Sequence, residues 1–404
     1  MYLRQLALTN FRNYLRFGLD LAPGVTLFQG DNGQGKSNLL EAVHVLATTR
    51  SLRATTEREL VEWHASERGT PFARLEARIA RAGGELHVEM IIQAEPTDGG
   101  GNGTGPAFAK SIKTNGLPTR AAQLVGQINV VLFSPEDVAL AAGAPAGRRR
   151  YLDITNSQVN PAYLRALQRY NRVLVQRNQL LRQVRERREP RTLLAPWNEE
   201  QVTLGSYVLE QRLKTMAGID SVVGERYRQL SGTQQQLDIV YAPTSLPAGG
   251  RNGGERDPSL RSGAALADSF RARLAEVEPR ELEQAVSLIG PHRDDFAFLL
   301  DGVDVGTYGS RGQQRLVVLA LKLAEAEFME AETGERPILL LDDVLSELDP
   351  ARRAYVLERV SGLGQTIITT TDPADLSPSF LEQAEVFKVE AGAVERESEV
   401  RRPA

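Results

Sequence analysis

The segment from Gly30 to Ser37 constrains the fold of this 404-residue chain more than any other part of its sequence. It reads GDNGQGKS and matches the pattern G-x-x-x-x-G-K-S. It lies between a short apolar run at 25–28, predicted to be a strand, and a stretch with helical spacing at 37–47. Glycines let backbone N–H groups wrap a polyphosphate, and the amino end of a helix adds a favourable field. The segment therefore predicts a strand, a phosphate-binding loop and a helix.

The side chains of this loop indicate ATP as the ligand, with Mg²⁺. Lys36 would reach the β- and γ-phosphates, and Ser37 would ligate the metal. The residues predicted to hold the nucleotide are those of the loop and the position after it: Gly30, Asp31, Asn32, Gly33, Gln34, Gly35, Lys36, Ser37 and Asn38. A Gly-rich turn that happens to precede a helix is a much weaker interpretation.

A second element supplies the carboxylates that such a site needs. The apolar run 338–341 ends in Asp342 and Asp343, about 300 residues after the loop. A buried strand that delivers acids at its carboxyl end suits Mg²⁺ and a water molecule beside the phosphates. We expect Asp342 to hold the metal and Asp343 to polarise the attacking water. In isolation, a strand followed by two acids is as often structural, and its order relative to the loop favours the catalytic interpretation.

The segment 310–314, SRGQQ, opens a helix predicted over 315–331. Ser, Gly and Gln at a helix start make a second anion site, yet one nucleotide does not need two helix amino ends from the same chain. The economical explanation is that this segment caps the γ-phosphate of a nucleotide held by another copy. It predicts an ATP-dependent homodimer. A capped helix without a ligand is, for the isolated segment, an equally good interpretation.

Composition excludes several classes of protein. With 41% hydrophobic and 25% charged residues, the chain can bury a core, and its length suggests two or three folded units. It has no Cys, which excludes disulfides, thiolate metal sites and a Cys nucleophile. No apolar run approaches the roughly 20 residues of a membrane helix. The N-terminus alternates like a strand and lacks the pattern of a signal peptide. We therefore expect a soluble cytoplasmic protein without a membrane partner.

The net charge of −4 conceals a basic region. Residues 148–191 contain twelve arginines against three acidic residues, a local balance of +9, so the remainder of the chain carries −13. Such asymmetry indicates a localised anionic partner. The candidates for contact with DNA phosphates are Arg148, Arg149, Arg150, Arg165, Arg169 and Arg172. A solvated charged face is an equally good interpretation of these residues.

Most of this region belongs to a helical stretch, from about 161 to 230. Apolar residues recur there at three- and four-residue spacing, which Pro190 and Pro196 interrupt. We predict two antiparallel helices of about thirty residues each, or about 45 Å long at 1.5 Å per residue. The result is a short arm.

Several motifs together resemble a known family. The order of the phosphate loop, SRGQQ, ILLLDD (338–343) and SELD (346–349) resembles an ABC-type ATPase head of the SMC class. The motifs NFRNY (10–14), GDNGQGKSN (30–38), FSPED (133–137), GPHRDD (290–295) and SRGQQR (310–315) resemble those of the RecF family, the bacterial recombination mediators of the RecFOR pathway. The matches extend from residue 10 to about 372, nearly the whole chain.

This resemblance implies an ATP-dependent DNA-binding dimer that acts at gaps, single strands or junctions and, with RecO and RecR, helps to load RecA. By the family pattern, Ser310, Gly312 and Gln313 match the signature loop that contacts ATP across the dimer, and Asp349 belongs to the D-loop between the two nucleotides. The usual catalytic Glu is replaced by Asp343. Because this arm is one methylene shorter, we predict slow hydrolysis, with ATP acting as a switch.

The resemblance also implies the domain organisation. The fold class is α/β: a P-loop ABC-type head of mixed sheets with flanking helices, and an inserted, mainly helical second lobe. We assign residues 1–135 and 286–404 to the head, and residues 136–285 to the lobe. The Gly-rich stretch 95–106 is predicted to be a flexible insertion, and 243–263 a Pro/Gly linker.

Some residues and functions have two interpretations. Arg12 and Asn13 would touch the nucleotide or lie in a solvated turn. For HRDD (292–295), a buried ion-pair network is favoured over chemistry. The rival functions are an ABC-type ATPase subunit of another DNA-processing or transport assembly, and a metabolic phosphotransferase, which would need a monomeric site and an acceptor pocket.

Overall fold

The structure is a computed structural model. It describes residues 1–65, 69, 71–95, 107–246, 263–362, 364–373 and 376–397. Residues 96–106 of the predicted insertion and 247–262 of the predicted linker lie outside those ranges. Among the described helices, none is long and apolar enough to cross a membrane.

The regular elements are numbered in chain order. The strands are β1 Tyr2–Phe11, β2 Tyr14–Asp20, β3 Val25–Gln29, β4 Phe72–Arg81, β5 Gly84–Ala94, β6 Phe108–Thr114, β7 Leu117–Pro118, β8 Val130–Phe133, β9 Leu237–Ala242, β10 Asp295–Leu300, β11 Val303–Asp304, β12 Ile338–Asp342, β13 Thr366–Thr370, β14 Ala384–Glu390 and β15 Ala393–Arg396. The helices are α1 Lys36–Thr48, α2 Ala121–Leu124, α3 Ala139–Ala142, α4 Pro145–Val159, α5 Pro161–Arg185, α6 Leu194–Ser231, α7 Gly263–Gln284, α8 Val305–Tyr308, α9 Arg311–Thr333, α10 Pro350–Gly362 and α11 Pro378–Leu381.

The chain divides into two compact units. Unit 1 comprises Met1–Glu136 and Glu325–Ala404, and unit 2 comprises Asp137–Ala324. Unit 1 contains two sheets with α1, α10 and shorter helices, whereas unit 2 is mainly helical with one small sheet. The predicted α/β class, with mixed sheets and an inserted helical lobe, is confirmed.

One sheet of unit 1 brings distant parts of the sequence to a common edge. Its strand order is β15-β14-β3-β13-β12-β8, and all neighbours are parallel except β14 and β15. Gln29 at the end of β3 pairs with Thr370 of β13, and Asp342 at the end of β12 pairs with Thr369. The carboxyl ends of parallel strands are where α/β sheets bind ligands. The phosphate loop and the two acids therefore follow neighbouring strand ends.

The other sheet of unit 1 is antiparallel, in the order β2-β1-β4-β5-β6-β7. Tight turns at Gly83-Gly84 and Asn115-Gly116 join its hairpins. Helix α1 contacts β4 of this sheet and β8, β12 and β13 of the first. Because α1 is covered on both sides, eleven of its thirteen residues are buried, and its apolar residues are not confined to one stripe.

Unit 2 is built on the helical hairpin of α5 and α6, against which α7 packs. The helices have 25 and 38 residues, or about 38 and 57 Å at 1.5 Å per residue. The prediction of two helices of equal length was wrong because Pro196 lies in the first turn of α6. A proline there costs no intrahelical hydrogen bond and does not end the helix. Pro190 does separate the two helices.

Unit 2 also includes residues 286–324, which the sequence analysis assigned to the head. The physical reason is pairing over a long separation in sequence. Strand β10 pairs with β9, from Asp295 opposite Ala242 to Leu300 opposite Leu237. Arg148 of α4 also binds Asp295 with both ends of its guanidinium, at 2.7 and 2.8 Å. These contacts hold residues of the predicted C-terminal head segment within unit 2.

Candidate functional site: a phosphate-binding cleft in unit 1

The phosphate loop needs glycine at two positions for different reasons. Gly30 has φ 155°, and a Cβ there would collide with the carbonyl of Val389. Gly35 has φ 114°, and a Cβ there would collide with the side chain of Asn13. Both positions combine a backbone conformation that favours glycine with a close approach by neighbouring atoms. The pattern of the motif therefore reflects local packing as well as ligand binding.

Side chains from the turn between β1 and β2 hold the loop in place. The Nδ2 of Asn13 donates to the carbonyl of Gln34 at 2.9 Å, and the Nδ2 of Asn38 donates to the Oδ1 of Asn13 at 2.8 Å. The buried hydroxyl of Tyr14 donates to the carbonyl of Gly35 at 3.0 Å. Asn13, one of the predicted nucleotide residues, thus supports the loop from outside.

The turn between β14 and β15 also supports the loop, which the sequence analysis missed. The N–H of Ala391 donates to the Oε1 of Gln34 at 2.6 Å, and the N–H of Gly392 donates to its carbonyl at 3.1 Å. More than 350 residues separate the two segments, and Ala391-Gly392 is a common turn sequence, so no local signal marks this contact.

Lys36, the first residue of α1, extends its side chain back to the loop. Its Nζ donates to the carbonyls of Gly30 and Asp31, at 2.6 and 2.9 Å. Burial lowers the pKa of Lys36, while the carboxylates of Asp343 and Asp342 act in the opposite direction. The loop carbonyls thus orient the ammonium group at the wall of the cleft.

Asp342 is the polar centre of the site. It is 4% exposed, and its Oδ1 accepts from the Oγ of Ser37 at 2.6 Å and from the Oγ1 of Thr369 at 2.9 Å. Its Oδ2 forms an ion pair with Arg53 at 2.8 Å. Ser37 and Asp342, the predicted metal residues, are therefore in direct contact. Thr369 and Arg53 were not predicted from the sequence, because neither lies within a motif of recognisable spacing.

The donor set fits Mg²⁺ better than a metal held by protein alone. Within the described residues, no cluster of three or more His, Cys, Asp or Glu could hold a metal ion. Mg²⁺ usually binds through one or two carboxylates, substrate phosphates and water. Ser37 and Asp342 offer hard oxygen donors beside the phosphate loop, as that mode of binding requires.

Asp343 adopts an unusual backbone conformation. Its φ is 51°, in the left-handed region, and its N–H donates to the Oγ1 of Thr369 at 3.0 Å. For a residue other than glycine this conformation costs of order 1–3 kcal/mol and is found where surrounding structure enforces it. The hydroxyl of Thr369 therefore positions both acids: it donates to the side chain of Asp342 and accepts from the backbone N–H of Asp343.

These groups line one cleft of about 330 Å³. The cleft is lined by unit 1 residues alone: Asn32, Gly33, Gly35, Lys36, Ser37, Asn38, Arg53, Pro135, Asp342 and Asp343. It combines a glycine-rich anion cradle, two cationic side chains and two carboxylates. This combination suits a polyphosphate with a divalent metal ion and an activated water molecule.

A second cleft of about 490 Å³ shares Asn38 with the first. It is lined by Arg12, Asn13, Leu15, Asn38, Glu62, Trp63 and His64. The side chain of Trp63 is 85% exposed. The guanidinium of Arg12 binds the carboxylate of Glu41 at 2.7 and 2.8 Å, which makes it part of an ion pair. Trp63 was not predicted from the sequence, because it belongs to no motif.

The predicted signature residues lie in unit 2, at the start of α9. The N–H of Gln313 donates to the Oγ of Ser310 at 3.2 Å, and the N–H of Ser310 donates to the Oε1 of Gln313 at 2.9 Å. This capping box starts the helix at residue 311, four residues before the predicted start at 315. Ser310 and Gly312 are exposed.

The predicted D-loop residue Asp349 lies in unit 1, immediately before α10. Its Oδ1 accepts from the N–H of Arg352 at 3.0 Å, and this bond lowers the pKa of Asp349. Its contact with a nucleotide stays a prediction.

The two carboxylates of the HRDD segment form ion pairs, as predicted: Asp294 lies 4.0 Å from Arg212, and Asp295 lies 2.7 Å from Arg148. Asp294 accepts from the hydroxyl of Tyr241 at 2.8 Å and from the N–H of Thr244 at 2.7 Å. The Nδ1 of His292 lies 2.8 Å from the hydroxyl of Tyr170, and burial lowers the pKa of His292 to about 4. The network is structural.

The candidate DNA-binding arginines have different environments. Arg148 is 9% exposed and bound to Asp295, and Arg149 donates to the carbonyl of Asp294 at 2.9 Å. A structural role is therefore favoured for both. Arg150 belongs to the same helix, α4. On α5, Arg169 pairs with Glu200 at 2.6 Å, whereas Arg165 and Arg172 are exposed.

Known proteins resemble this chain over its whole length. A family model described as the RecF/RecN/SMC N-terminal domain matches residues 2–395. The DNA replication and repair protein RecF of Chloroflexus aurantiacus is 44% identical over 401 residues, which cover 98% of this chain and 99% of that protein. RecF of Lysinibacillus sphaericus is 35% identical over 98% of this chain and 100% of its own length.

Solved structures of the same family have a similar fold. The recombination mediator protein RecF with ATP, from the RecFOR pathway, has a TM-score of 0.82 at 31% identity and covers 98% of each chain. The SMC head of Pyrococcus furiosus, solved with the C-terminal domain of ScpA, has a TM-score of 0.53 at 16% identity. It covers 98% of this chain and 95% of that one, and it shows a likeness of fold.

Proposed function

This chain belongs to the RecF family of SMC-like ATPases, and from that premise we propose that it is an ATP-dependent DNA-binding protein of recombinational repair. The observation that carries the proposal is the meeting of Lys36, Ser37, Asp342 and Asp343 around one cleft. The four residues come from two segments about 300 residues apart, and together they provide what binding and hydrolysis of a nucleoside triphosphate require.

Within the cleft, the residues have separate roles. The loop N–H groups and Lys36 bind the phosphates, and Ser37 and Asp342 would hold Mg²⁺. When bound, the ion neutralises charge on the phosphate oxygens. Arg53, at 2.8 Å from Asp342, adds a second cation to the phosphate side of the cleft.

Hydrolysis depends on Asp343. Its carboxylate lines the cleft and would polarise the attacking water. Because Asp is one methylene shorter than the Glu usual in ABC-type heads, the water is oriented less well, and hydrolysis is slow. ATP then acts mainly as a switch, and its turnover resets the protein.

The second cleft would take the base of the nucleotide. It adjoins the phosphate cleft at Asn38, and the exposed indole of Trp63 offers a flat surface on which a purine can stack. This assignment supports contact of Arg12 and Asn13 with the nucleotide from the side of the base.

Dimerisation follows from the segment at the start of α9. The exposed Ser310 and Gly312, at a helix amino end, suit the γ-phosphate of a nucleotide held by a second copy. ATP would then link two protomers around DNA, and hydrolysis would remove the bridging phosphate and open the clamp.

The DNA partner and the protein partners are inferred from the family. The ATP-bound RecF structure belongs to the RecFOR pathway. We propose that this chain acts with RecO and RecR at gaps, single strands or junctions and assists RecA loading.

Sedimentation velocity with a non-hydrolysable ATP analogue tests the proposal, with and without gapped duplex DNA. The wild type should change from monomer to dimer on adding the analogue. Lys36→Met should lose nucleotide binding and the dimer, whereas Ser310→Arg should keep nucleotide binding and lose the dimer.

The matched control is Ser221→Arg, since Ser221 is an exposed serine of α6 in the same unit. It should dimerise like the wild type. A wild-type monomer at saturating analogue would contradict the clamp, and a Ser310→Arg dimer would contradict the capping role.

A further inference from the structure

Helix α5 has an unusual charge composition. Its 25 residues include six arginines and no acidic residue. A surface helix normally carries both signs, because opposite charges three or four positions apart stabilise it. The composition of α5 therefore leaves positive charge that the helix itself does not compensate.

This charge is concentrated on one face. Six of the exposed positions follow one another at steps of three and four residues along the helix, which places them on one side. We call this set the α5 seam: Arg165, Gln168, Arg172, Gln176, Gln179 and Arg182. The buried residues of α5, which include Tyr170 and Leu181, lie on the opposite side and pack within unit 2.

Of the arginines outside the seam, Arg169 and Arg177 have partners within unit 2, and Arg185 is exposed in the last turn of the helix. Arg169 pairs with Glu200 at 2.6 Å, and the fully buried Arg177 pairs with Glu281 at 2.6 Å. By contrast, no ion pair involves Arg165, Arg172 or Arg182 in the part of the chain that the structure describes. The seam thus offers three exposed guanidinium groups to an external anion.

The spacing of the seam suits a linear polyanion. From Arg165 to Arg182 it extends about 26 Å at 1.5 Å per residue. The glutamines between the arginines present amide N–H groups, which commonly donate to phosphate and sugar oxygens. Three separated cations with intervening amide donors match a regular row of phosphates better than one compact anion.

We propose that the α5 seam binds the sugar–phosphate backbone of DNA, independently of base sequence. The inference rests on the proposed function and goes beyond it by assigning the contact to one face of one helix. It adds Gln168, Gln176, Gln179 and Arg182 to the surface. It leaves Arg148, Arg149 and Arg169 as structural residues.

The test is the salt dependence of DNA binding by the full chain. Binding of a fluorescein-labelled duplex is followed by anisotropy between about 50 and 200 mM KCl, with the ATP analogue present. In the variant R165Q/R172Q/R182Q, the slope of log affinity against log salt should fall by about 2 to 3 per protomer, since each phosphate contact contributes about 0.9. At the lower salt concentrations the affinity should fall about 10- to 100-fold.

The matched control is R169Q/R271Q/R273Q, which removes the same charge from two exposed positions and one half-buried position in unit 2. Its arginines pair with Glu200, Glu199 and Glu276. It should keep the wild-type slope. Thermal melting and ATP-induced dimerisation should be unchanged in both variants.

The outcomes separate the two proposals. A seam variant with the wild-type slope, beside a wild type that binds DNA, overturns this inference alone and leaves the seam for an acidic protein surface. An equal loss in both variants also overturns it, because total charge would then explain the binding. A wild type that binds no DNA at low salt overturns the proposed function, and this inference with it.

Discussion

The two units differ in what their buried charges do. In unit 1, Lys36 and Asp342 are almost fully buried and line an accessible cleft. In unit 2, the buried Arg177 and Arg212 are enclosed by partners of the same unit, chiefly Glu281, Asp153 and the carbonyl of Pro291. A buried charge that faces a cleft can bind a ligand, whereas one enclosed by its partners holds a scaffold together. Burial alone therefore does not identify a functional residue.

The largest effect expected from this difference is on the stability of unit 2. Arg177 and Glu281 are both fully buried and lie 2.6 Å apart. Arg177→Met leaves the Glu281 carboxylate without its cation, and removing one partner of a buried pair costs about 3–5 kcal/mol. Urea unfolding, followed by circular dichroism, should show this loss in the free energy of unfolding.

Two further variants show whether the loss of stability comes from the broken ion pair or from the changed side-chain volume. The double variant R177M/E281L should recover most of the loss, because no charge is left buried alone. Arg271→Met removes an exposed arginine of the same unit and should change stability by less than about 0.5 kcal/mol. If Arg177→Met has no larger effect than Arg271→Met, the buried network does not support unit 2 as described.

The second expected effect is a loss of folding stability at acidic pH. Burial lowers the pKa of His292 to about 4, from an ordinary value of 6.5. Below pH 6.5 the unfolded chain takes up a proton that the folded chain refuses until about pH 4. The stabilisation is therefore fully present above pH 6.5 and is lost as the pH falls toward 4, by about 2 to 3 kcal/mol.

Unfolding measured from pH 7 to pH 4 checks this sign. His292→Gln should be less stable than the wild type at pH 7 and should approach it as the pH falls. His87→Gln is the control for the loss of one imidazole, since His87 lies in unit 1. If the difference in stability between the wild type and His292→Gln is constant with pH, the pKa of His292 is the same in the folded and the unfolded chain.

The third effect is on the rate of hydrolysis. Asp343→Glu restores the longer arm and should raise ATP turnover by about tenfold, which corresponds to about 1.4 kcal/mol in the barrier. The positive φ of Asp343 opposes part of this gain, since Asp tolerates that region better than Glu. Steady-state phosphate release measures the rate.

Asp343→Asn is the control, because it keeps the size of the side chain and removes the charge. It should lower turnover and keep the ATP-induced dimer. If neither substitution changes the rate, water activation does not depend on Asp343.

Local sequence patterns were sufficient to predict the residues at the centre of the phosphate-binding cleft. The loop that ends in Ser37, and the strand that ends in Asp342, each carry their pattern within a few residues, and parallel pairing brings them together. Arg53 and Thr369 lack such a pattern, and they belong to the site only because the chain returns to the same sheet edge.

The same distinction explains the predictions of the fold. The strand predicted at 25–28 and the helix predicted at 37–47 were observed as β3 and α1 within one residue at each end, since periodicity and turn residues are local. The extent of unit 2 was not predicted, because it depends on the pairing of β9 with β10 and on the ion pair of Arg148 with Asp295. The first turn of α6 shows a third case, in which Pro196 has opposite meanings inside a helix and at its start.

The smallest effect tests whether the clefts of unit 1 serve one ligand. If a purine stacks on Trp63, Trp63→Ala should weaken ATP binding about five- to tenfold, at the lower end of the roughly 1–3 kcal/mol that base stacking on an aromatic side chain contributes. Binding of inorganic triphosphate, which has no base, should be unchanged.

Leu117→Ala is the control, because it removes another exposed apolar side chain of unit 1, 70% exposed and outside both clefts. Equal weakening of ATP and triphosphate would mean that Trp63 acts through the shape of the phosphate loop. An unchanged affinity for ATP would place the base elsewhere, and the second cleft would then no longer belong to the nucleotide site.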